Sequence, residues 1–229
     1  MIDTIIDLNH QGRPDFGALA QGGIVAVLHK ATEGATFQDP EYQTRRVLAK
    51  TQGLLWGSYH FVSGASVTDQ VDNYVSHASP AADEAICIDY EHSTSGPDMT
   101  LAQLERFVVL LTQRLGRAPM IYGGDLLRHA LQLNPSATLS KCPLWYTRYA
   151  SDPTGIPPAV WSAFTLWQYT DGASGPQPHE APGIGRCDRS RYAGTVQELR
   201  AAWPFSKATA APLRKARISA APKRSARRK

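Results

Sequence analysis

No apolar run in this sequence approaches the roughly 20 residues that a helix needs to span a bilayer. The N-terminal MIDTIIDLNH has no basic segment followed by an apolar core, so no secretory leader is expected there. It reads instead as a strand that begins almost at the first residue. Cysteine is scarce. Cys87, Cys142 and Cys187 form no CxxC pair and no ligand spacing, and buried free thiols are the expectation for all three. HxH and HExxH spacings are also missing, so no metal is expected, and no cofactor.

Acid is missing from one end. From Lys207 to Lys229 there are nine Lys or Arg and no Asp or Glu. Of 24 basic and 20 acidic residues in the chain, 15 basic and 20 acidic therefore fall in 1–206, a net charge of −5 there. The overall +4 belongs to the tail. Its Ala, Pro and Ser content predicts disorder, which sets 206–229 apart from a folded unit at 1–205. Such a tail suits anionic wall polymers or a membrane surface. The acidic balance of the remainder argues against a basic groove, so no specific nucleic-acid partner is expected. A monomer is expected.

What is present is a chain able to bury a core, 42% hydrophobic. Short apolar runs recur at Ile5–Asn9, Ile24–Lys30, Leu54–Phe61, Ala85–Glu91, Pro119–Gly124, Pro143–Tyr149 and Phe164–Thr170, with a weak eighth at Ile184–Asp188. Helical patterns lie between many of them. Asp39-Pro40 opens one that runs to about Lys50, and Ser66 opens another that runs to about His77. Thr100 with Gln103 three residues on reads as a capping box, ahead of an apolar face of Leu101, Leu104, Phe107, Val108 and Leu111. Gly116 ends that helix. Alternating strands and helices predict parallel pairing. The fold class is α/β, an irregular TIM-like (β/α) barrel of about eight mainly parallel strands. Ser151 to Val160 has no helical period, so the irregularity falls in the second half.

The polar residues gather at strand ends. Asp7 and Asn9 end the first, Lys30 and then Glu33 the second, Tyr59 and His60 the third. Asp89 and Glu91 end the fourth, in the stretch ICIDYEH. Tyr122 ends the fifth, Trp145 and Tyr146 lie in the sixth, Trp167 and Gln168 near the end of the seventh, and Asp188 ends the eighth. In a parallel barrel these ends meet on one face, where such enzymes do chemistry. Asp89 and Glu91 are two apart on a strand, so they share a side with Cα atoms roughly 6.5 Å apart. Like charges so close raise each other's pKa. Aromatic rings beside paired carboxyls suit glycoside hydrolysis, in which one carboxyl donates a proton and the other stabilises positive charge. Asp7 and Asp188 would help hold a proton on the cluster. Lys30 and Glu33 are open to a second reading, a structural ion pair below the site. His60 reads better as a hydrogen-bonded wall residue than as an acid or base, and Trp56 and Trp161 as core.

The motifs IDLNHQG (6–12), KATEG (30–34), Asp39, GSYHF (57–61), IDYE (88–91), IYGG (121–124), LWYTRY (144–149), LWQYT (166–170) and GIGRCD (183–188) occur in an order that resembles glycoside hydrolase family 25, the Chalaropsis-type lysozymes. The resemblance covers about residues 2–203. It implies an irregular β/α barrel cleaving the β-1,4 bond after N-acetylmuramic acid in peptidoglycan. It implies that Glu91 is the proton donor, Asp89 its companion, and Asp7 and Asp188 the acids completing the cluster. Tyr59, Tyr122, Trp145 and Trp167 match positions lining the sugar groove. Two departures bear on substrate preference: Asn9 stands where the family usually has Ser, and Cys187-Asp188-Arg189-Ser190 replaces the usual last motif. Asp89 could activate water or orient the substrate's own N-acetyl group. A peptidoglycan-binding module that has lost chemistry is the rival reading, against which the four intact acids count. With no leader visible, a phage endolysin released by a separate factor is the expected setting, ahead of a bacterial enzyme acting on the wall.

Overall fold

The computed structural model describes residues 1–206 apart from Ser95 and Leu133. The basic tail and its suggested wall or membrane contacts lie outside the described residues. The elements follow the chain as β1 (Ile2–Leu8), α1 (Phe16–Gln21), β2 (Ala26–Glu33), β3 (Phe37–Gln38), α2 (Tyr42–Thr51), β4 (Leu55–Phe61), α3 (Val67–Ala78), β5 (Ala85–Asp89), α4 (Leu101–Leu115), β6 (Met120–Gly123) and α5 (Asp125–Leu131). Then come β7 (Leu144–Thr147), β8 (Leu166–Thr170), β9 (Glu180–Ala181), β10 (Gly185–Arg186), β11 (Asp188–Tyr192) and α6 (Val196–Ala202).

The sheet runs β1-β11-β8-β7-β6-β5-β4-β2, and β1 pairs with β2 to close an eight-stranded barrel. β3 adds a short antiparallel flap on β2. Seven strands of the barrel are parallel, and the eighth breaks the rule. β11 is antiparallel to both β1 and β8. It begins at Asp188, where the sequence pattern had placed the end of a parallel strand at Ile184–Asp188. The apolar run there is short, and Ile184 lies outside any strand in the loop around the small β9/β10 hairpin. Reversal of the strand still brings Asp188 to the same end of the barrel, because the first residue of an antiparallel strand lies beside the last residues of its parallel neighbours.

Alternation along each strand divides the core in two. Ile5, Leu28, Tyr59, Cys87, Met120, Tyr122, Trp145 and Leu166 pack inside the barrel. Ile6, Val27, Trp56, Ile88, Ile121, Tyr146 and Trp167 pack outside, under the helices. Space inside is tight: a Cβ on Gly57 would meet Leu28 Cδ2 at 2.8 Å and Ala85 Cβ at 3.0 Å. Leu199 and Trp203 of the C-terminal segment join Ile2 and Leu55 to plug the end away from the acids. α4 has the expected capping box between Thr100 and Gln103, and ends on Gly116 at φ +69°. Its buried Leu104, Phe107, Val108 and Leu111 face the barrel wall. All three cysteines are buried free thiols, and Trp56 and Trp161 are core. From Ser151 to Val160 there is no helix, and β7 is joined to β8 by turns alone.

Candidate active site

The inward positions at the strand ends form the site. Asp7 and Asp188 are directly paired across β1 and β11. Like charges placed opposite one another in a sheet are destabilising, so something must hold them. Gln168, inward on β8, does so. Its amide nitrogen donates to both Asp7 oxygens at 3.0 and 3.1 Å and to Asp188 Oδ1 at 3.4 Å. Its amide oxygen accepts from the hydroxyls of Tyr122 at 2.7 Å, Thr147 at 2.9 Å and Tyr149 at 3.2 Å. Three hydroxyl donors on the oxygen leave the NH2 group to face the acids.

β5 ends at Asp89, and Glu91 stands two residues beyond in a bend. The alternation persists past the strand because Tyr90 N–H donates to Tyr122 O at 2.9 Å while its ring packs outside. Asp89 and Glu91 thus both reach a cavity of about 200 Å³, together with Asp7, Asn9, Lys30, Tyr59, Phe61, Tyr122, Trp145, Tyr149, Gln168 and Asp188. Two further cavities adjoin it. One of about 550 Å³ shares Glu91 and Tyr149 and runs toward Asp125, Arg128 and Arg148. The other, about 240 Å³, shares Asp7, Asn9, Tyr59 and Asp188 and runs toward Gln11 and Arg186. The three form a groove across the barrel mouth with the acids at its centre.

Burial, then mutual repulsion, drives the acids' pKa values upward. Asp7 is raised well above the carboxylate range by burial and by Asp188. Asp89 is raised well above it by burial and by Glu91, with Lys30 acting against the shift. Glu91 is raised by burial and Asp188, and Asp188 rises to about 6 through burial and Asp171. The group therefore retains protons at pH values where isolated carboxyls have lost them. Lys30 is the cation lining this central cavity; its Nζ lies 2.6 Å from Glu33 Oε2 and over the Phe61 ring. Among the described residues, no group of three or more His, Cys, Asp or Glu is placed to hold a metal ion.

Several residues named from the sequence lie elsewhere. His60 is buried on the outer side of β4, within hydrogen-bond distance of Thr32 Oγ1 at 2.7 Å and Gln70 Oε1 at 3.3 Å, against Phe107. Tyr146 points outward, and its hydroxyl donates to Thr154 O at 2.8 Å. Trp167 also points outward, donating to Arg148 O at 2.8 Å, with Arg191 over its ring. The pleat explains all three: each neighbours an inward residue (Tyr59, Trp145 or Gln168), and adjacent residues face opposite sides. Glu33 sits off the cavity, taking Lys30 on one oxygen and the Thr94 hydroxyl at 2.7 Å on the other. Asn9, read from the sequence at the end of the first strand, lines the cavity, as do Phe61 and Tyr149, which were not singled out as site residues. Phe61 stands two residues beyond Tyr59, as Asn9 does beyond Asp7, a period-2 signal that could have found it. Tyr149 carries the same signal, two residues beyond Thr147 and four beyond the inward Trp145.

The loop after β1 is held from behind. Arg45 of α2 donates to the carbonyls of Asn9 at 2.5 Å, His10 at 3.2 Å and Gly12 at 3.0 Å. Asp39, fully buried, accepts from the backbone N–H of His10 at 2.7 Å and of Glu41 at 3.0 Å.

The model for glycosyl hydrolases family 25 matches residues 6–177. The chain belongs to glycosyl hydrolases family 25. Among its relatives is an N,O-diacetylmuramidase of Arthroderma benhamiae, 29% identical over 174 residues, covering 71% of this chain and 74% of that one. An N,O-diacetylmuramidase of Chalaropsis sp. is 27% identical over 180 residues, covering 71% and 85%. The solved structure of a muramidase from Acremonium alcalophilum superposes with a TM-score of 0.74 at 26% identity, covering 88% of this chain and 98% of that one. The family match spans β1 to β8 and stops short of Asp188.

Proposed function

We propose that this member of family 25 is an N-acetylmuramidase, cleaving the β-1,4 bond between N-acetylmuramic acid and N-acetylglucosamine in peptidoglycan. Glu91 is the general acid, and Asp89 orients the substrate's acetamido group. One contrast carries the reading. Glu91 faces the groove with a raised pKa and makes no hydrogen bond to another described residue. Asp89, two residues away, is buried with Oδ1 lacking any hydrogen-bond partner. A buried orphan acceptor is costly, and a substrate N–H placed there would satisfy it. The muramidase names of the relatives support the same substrate.

In this mechanism the Glu91 proton passes to the glycosidic oxygen as the C1–O bond breaks. The acetamido carbonyl oxygen bonds to C1, and Asp89 holds the amide N–H and the positive charge that develops on it. Glu91, now a carboxylate, takes a proton from water. That water attacks C1 and opens the ring, returning the acetamide and leaving the anomeric configuration retained. Tyr122, Trp145 and Tyr59 form apolar walls around the acids, while Asp7, Asp188 and Gln168 keep a proton available within the cluster.

The test is digestion of purified peptidoglycan, borohydride reduction and mass spectrometry of the fragments, comparing wild type with Glu91→Gln. Reduced muramic acid ends made by the wild type alone are the expected result. Reduced glucosamine ends would mean another bond is cut. No new ends with wall binding retained would favour a binding module instead.

A further inference from the structure

We propose that Arg148 is a specificity residue which takes a carboxylate of the peptide stem carried by muramic acid; this rests on the muramidase reading above. Arg148 lines the largest cavity of the groove, the arm that Glu91 and Tyr149 share with the acid site. Its backbone is fixed on both sides: its N–H donates to Gln168 O at 3.0 Å and its carbonyl accepts from Trp167 Nε1 at 2.8 Å. The base of the side chain is thus tied to the residue that holds Asp7.

The guanidinium has no such partner. Its Nε is buried and makes no hydrogen bond, and no described carboxylate forms an ion pair with it. The other basic side chains in this arm are answered. Arg128 is held by Asp125 and by the Tyr146 hydroxyl, and His92 lies 2.6 Å from Asp98. An unpaired guanidinium with a buried N–H is a ready bidentate site for a carboxylate. The requirement is also electrostatic. A glycan strand bearing carboxylates must lie across a mouth that holds four acids, and Arg148 supplies uncompensated positive charge in that arm. Muramic acid carries its substituent on the lactyl group, so the anion comes either from the peptide stem or, where the stem is absent, from the bare lactyl carboxylate. The arm's volume of about 550 Å³, against about 200 Å³ at the acids, favours the bulkier stem.

The experiment uses peptidoglycan strands in three forms: peptide-bearing, peptide-bearing with carboxylates converted to amides, and stripped by an amidase to expose the lactyl carboxylate. KM and kcat are measured for wild type, Arg148→Gln and Arg148→Lys. The expected result is a wild-type KM about tenfold higher on amidated than on native strands, the size of one charge-assisted hydrogen-bonded contact, with kcat little changed. Arg148→Gln should raise KM on native strands by a similar factor and abolish the difference between the two forms. Arg148→Lys should restore part of it. Equal wild-type KM values on native and amidated strands would overturn the proposal without recourse to any variant. So would an Arg148→Gln loss of the same size on both forms. Stripped strands bound as tightly as native ones, with the same Arg148 dependence, would overturn the stem in favour of the lactyl group. Wild type inactive on all three forms would instead refute the muramidase reading.

Discussion

The mouth of the barrel and the layer behind its wall both bury titratable groups, and burial moves them in opposite directions. Inside, the pKa values of Asp7, Asp89, Glu91 and Asp188 are pushed up, so the cluster as a whole holds on to protons while one of its members can stay charged. Outside, His29 and His60 are pushed down to about 4 and stay neutral. His29 stacks on Trp56 and faces Arg45, Asp39 and His10; His60 faces Gln70, Thr32, Tyr74 and Phe107. In both layers burial favours the neutral form of these groups, but the consequences for stability oppose each other. The acids' native pKa values lie above their unfolded values, so the fold loses stability as pH rises above about 4, for Asp188 through about 6. The histidines' native values lie below about 6.5, so the fold loses stability as pH falls from there toward 4. The inner groups open onto a groove; the outer ones are enclosed by packing. That is the difference between a site and a core of the same depth.

The largest expected way to break this contrast is Asp89→Asn, which keeps shape and removes charge inside. It should lower kcat by about a thousandfold, read on soluble glycan fragments, with the melting temperature held or raised. A loss of tenfold or less would move the stabilising role to Asp7 or Asp188. Next is Gln168→Leu, which frees the Asp7–Asp188 pair and orphans three hydroxyls. A fall in kcat of about a hundredfold is expected, with a displaced pH–rate profile, checked by kinetics from pH 4 to 8. Asp188→Asn sharpens the comparison. Less repulsion lowers the Glu91 pKa, so the basic limb of activity should move to lower pH. The melting temperature at pH 7 should rise by about 3–6 °C, and the gain should vanish near pH 3.5, where the acids are protonated in both states. Finally, His60→Leu acts on the outer layer. It orphans the Thr32 hydroxyl and takes one of two donors from Gln70 Oε1, which keeps the Ser63 N–H, and should cost about 2 kcal/mol by denaturant titration, while the shape of the pH–rate profile stays as in wild type. A change in that shape would return His60 to the site.

Most of the barrel was legible because each strand carries its own apolar run and the helices their own punctuation. Thr100, Gln103 and Gly116 act locally, so spacing alone reveals them. The four acids were legible because inward carboxyls at strand ends have few structural uses. What was not legible depended on neighbours. The direction of β11 is set by its partners β1 and β8, and nothing in GIGRCDRS encodes which way the strand runs. Tyr146, Trp167 and His60 were read with adjacent site residues because all lie near strand ends. The pleat allows only one of each adjacent pair to face inward, and which one is fixed by the register of the whole sheet. Gln168 was visible as a polar residue in an apolar strand, but its hub of six hydrogen bonds joins β1, β6, β7, β8 and β11 and has no sequence signature.

The reversal of β11 has an evolutionary consequence. A parallel last strand would oblige the chain to return from the mouth to the far end before re-entering the sheet. Here residues 171–187 leave β8 at the mouth and enter β11 at the mouth, so the segment is free of any duty to cross the barrel. It already contributes Ile184, Arg186 and Cys187 to one arm of the groove. Insertions or deletions there can remodel what the enzyme grips while leaving Asp188, Gln168 and the closure of the sheet where they are. The groove wall most open to innovation is thus supplied by the connection under the least topological constraint.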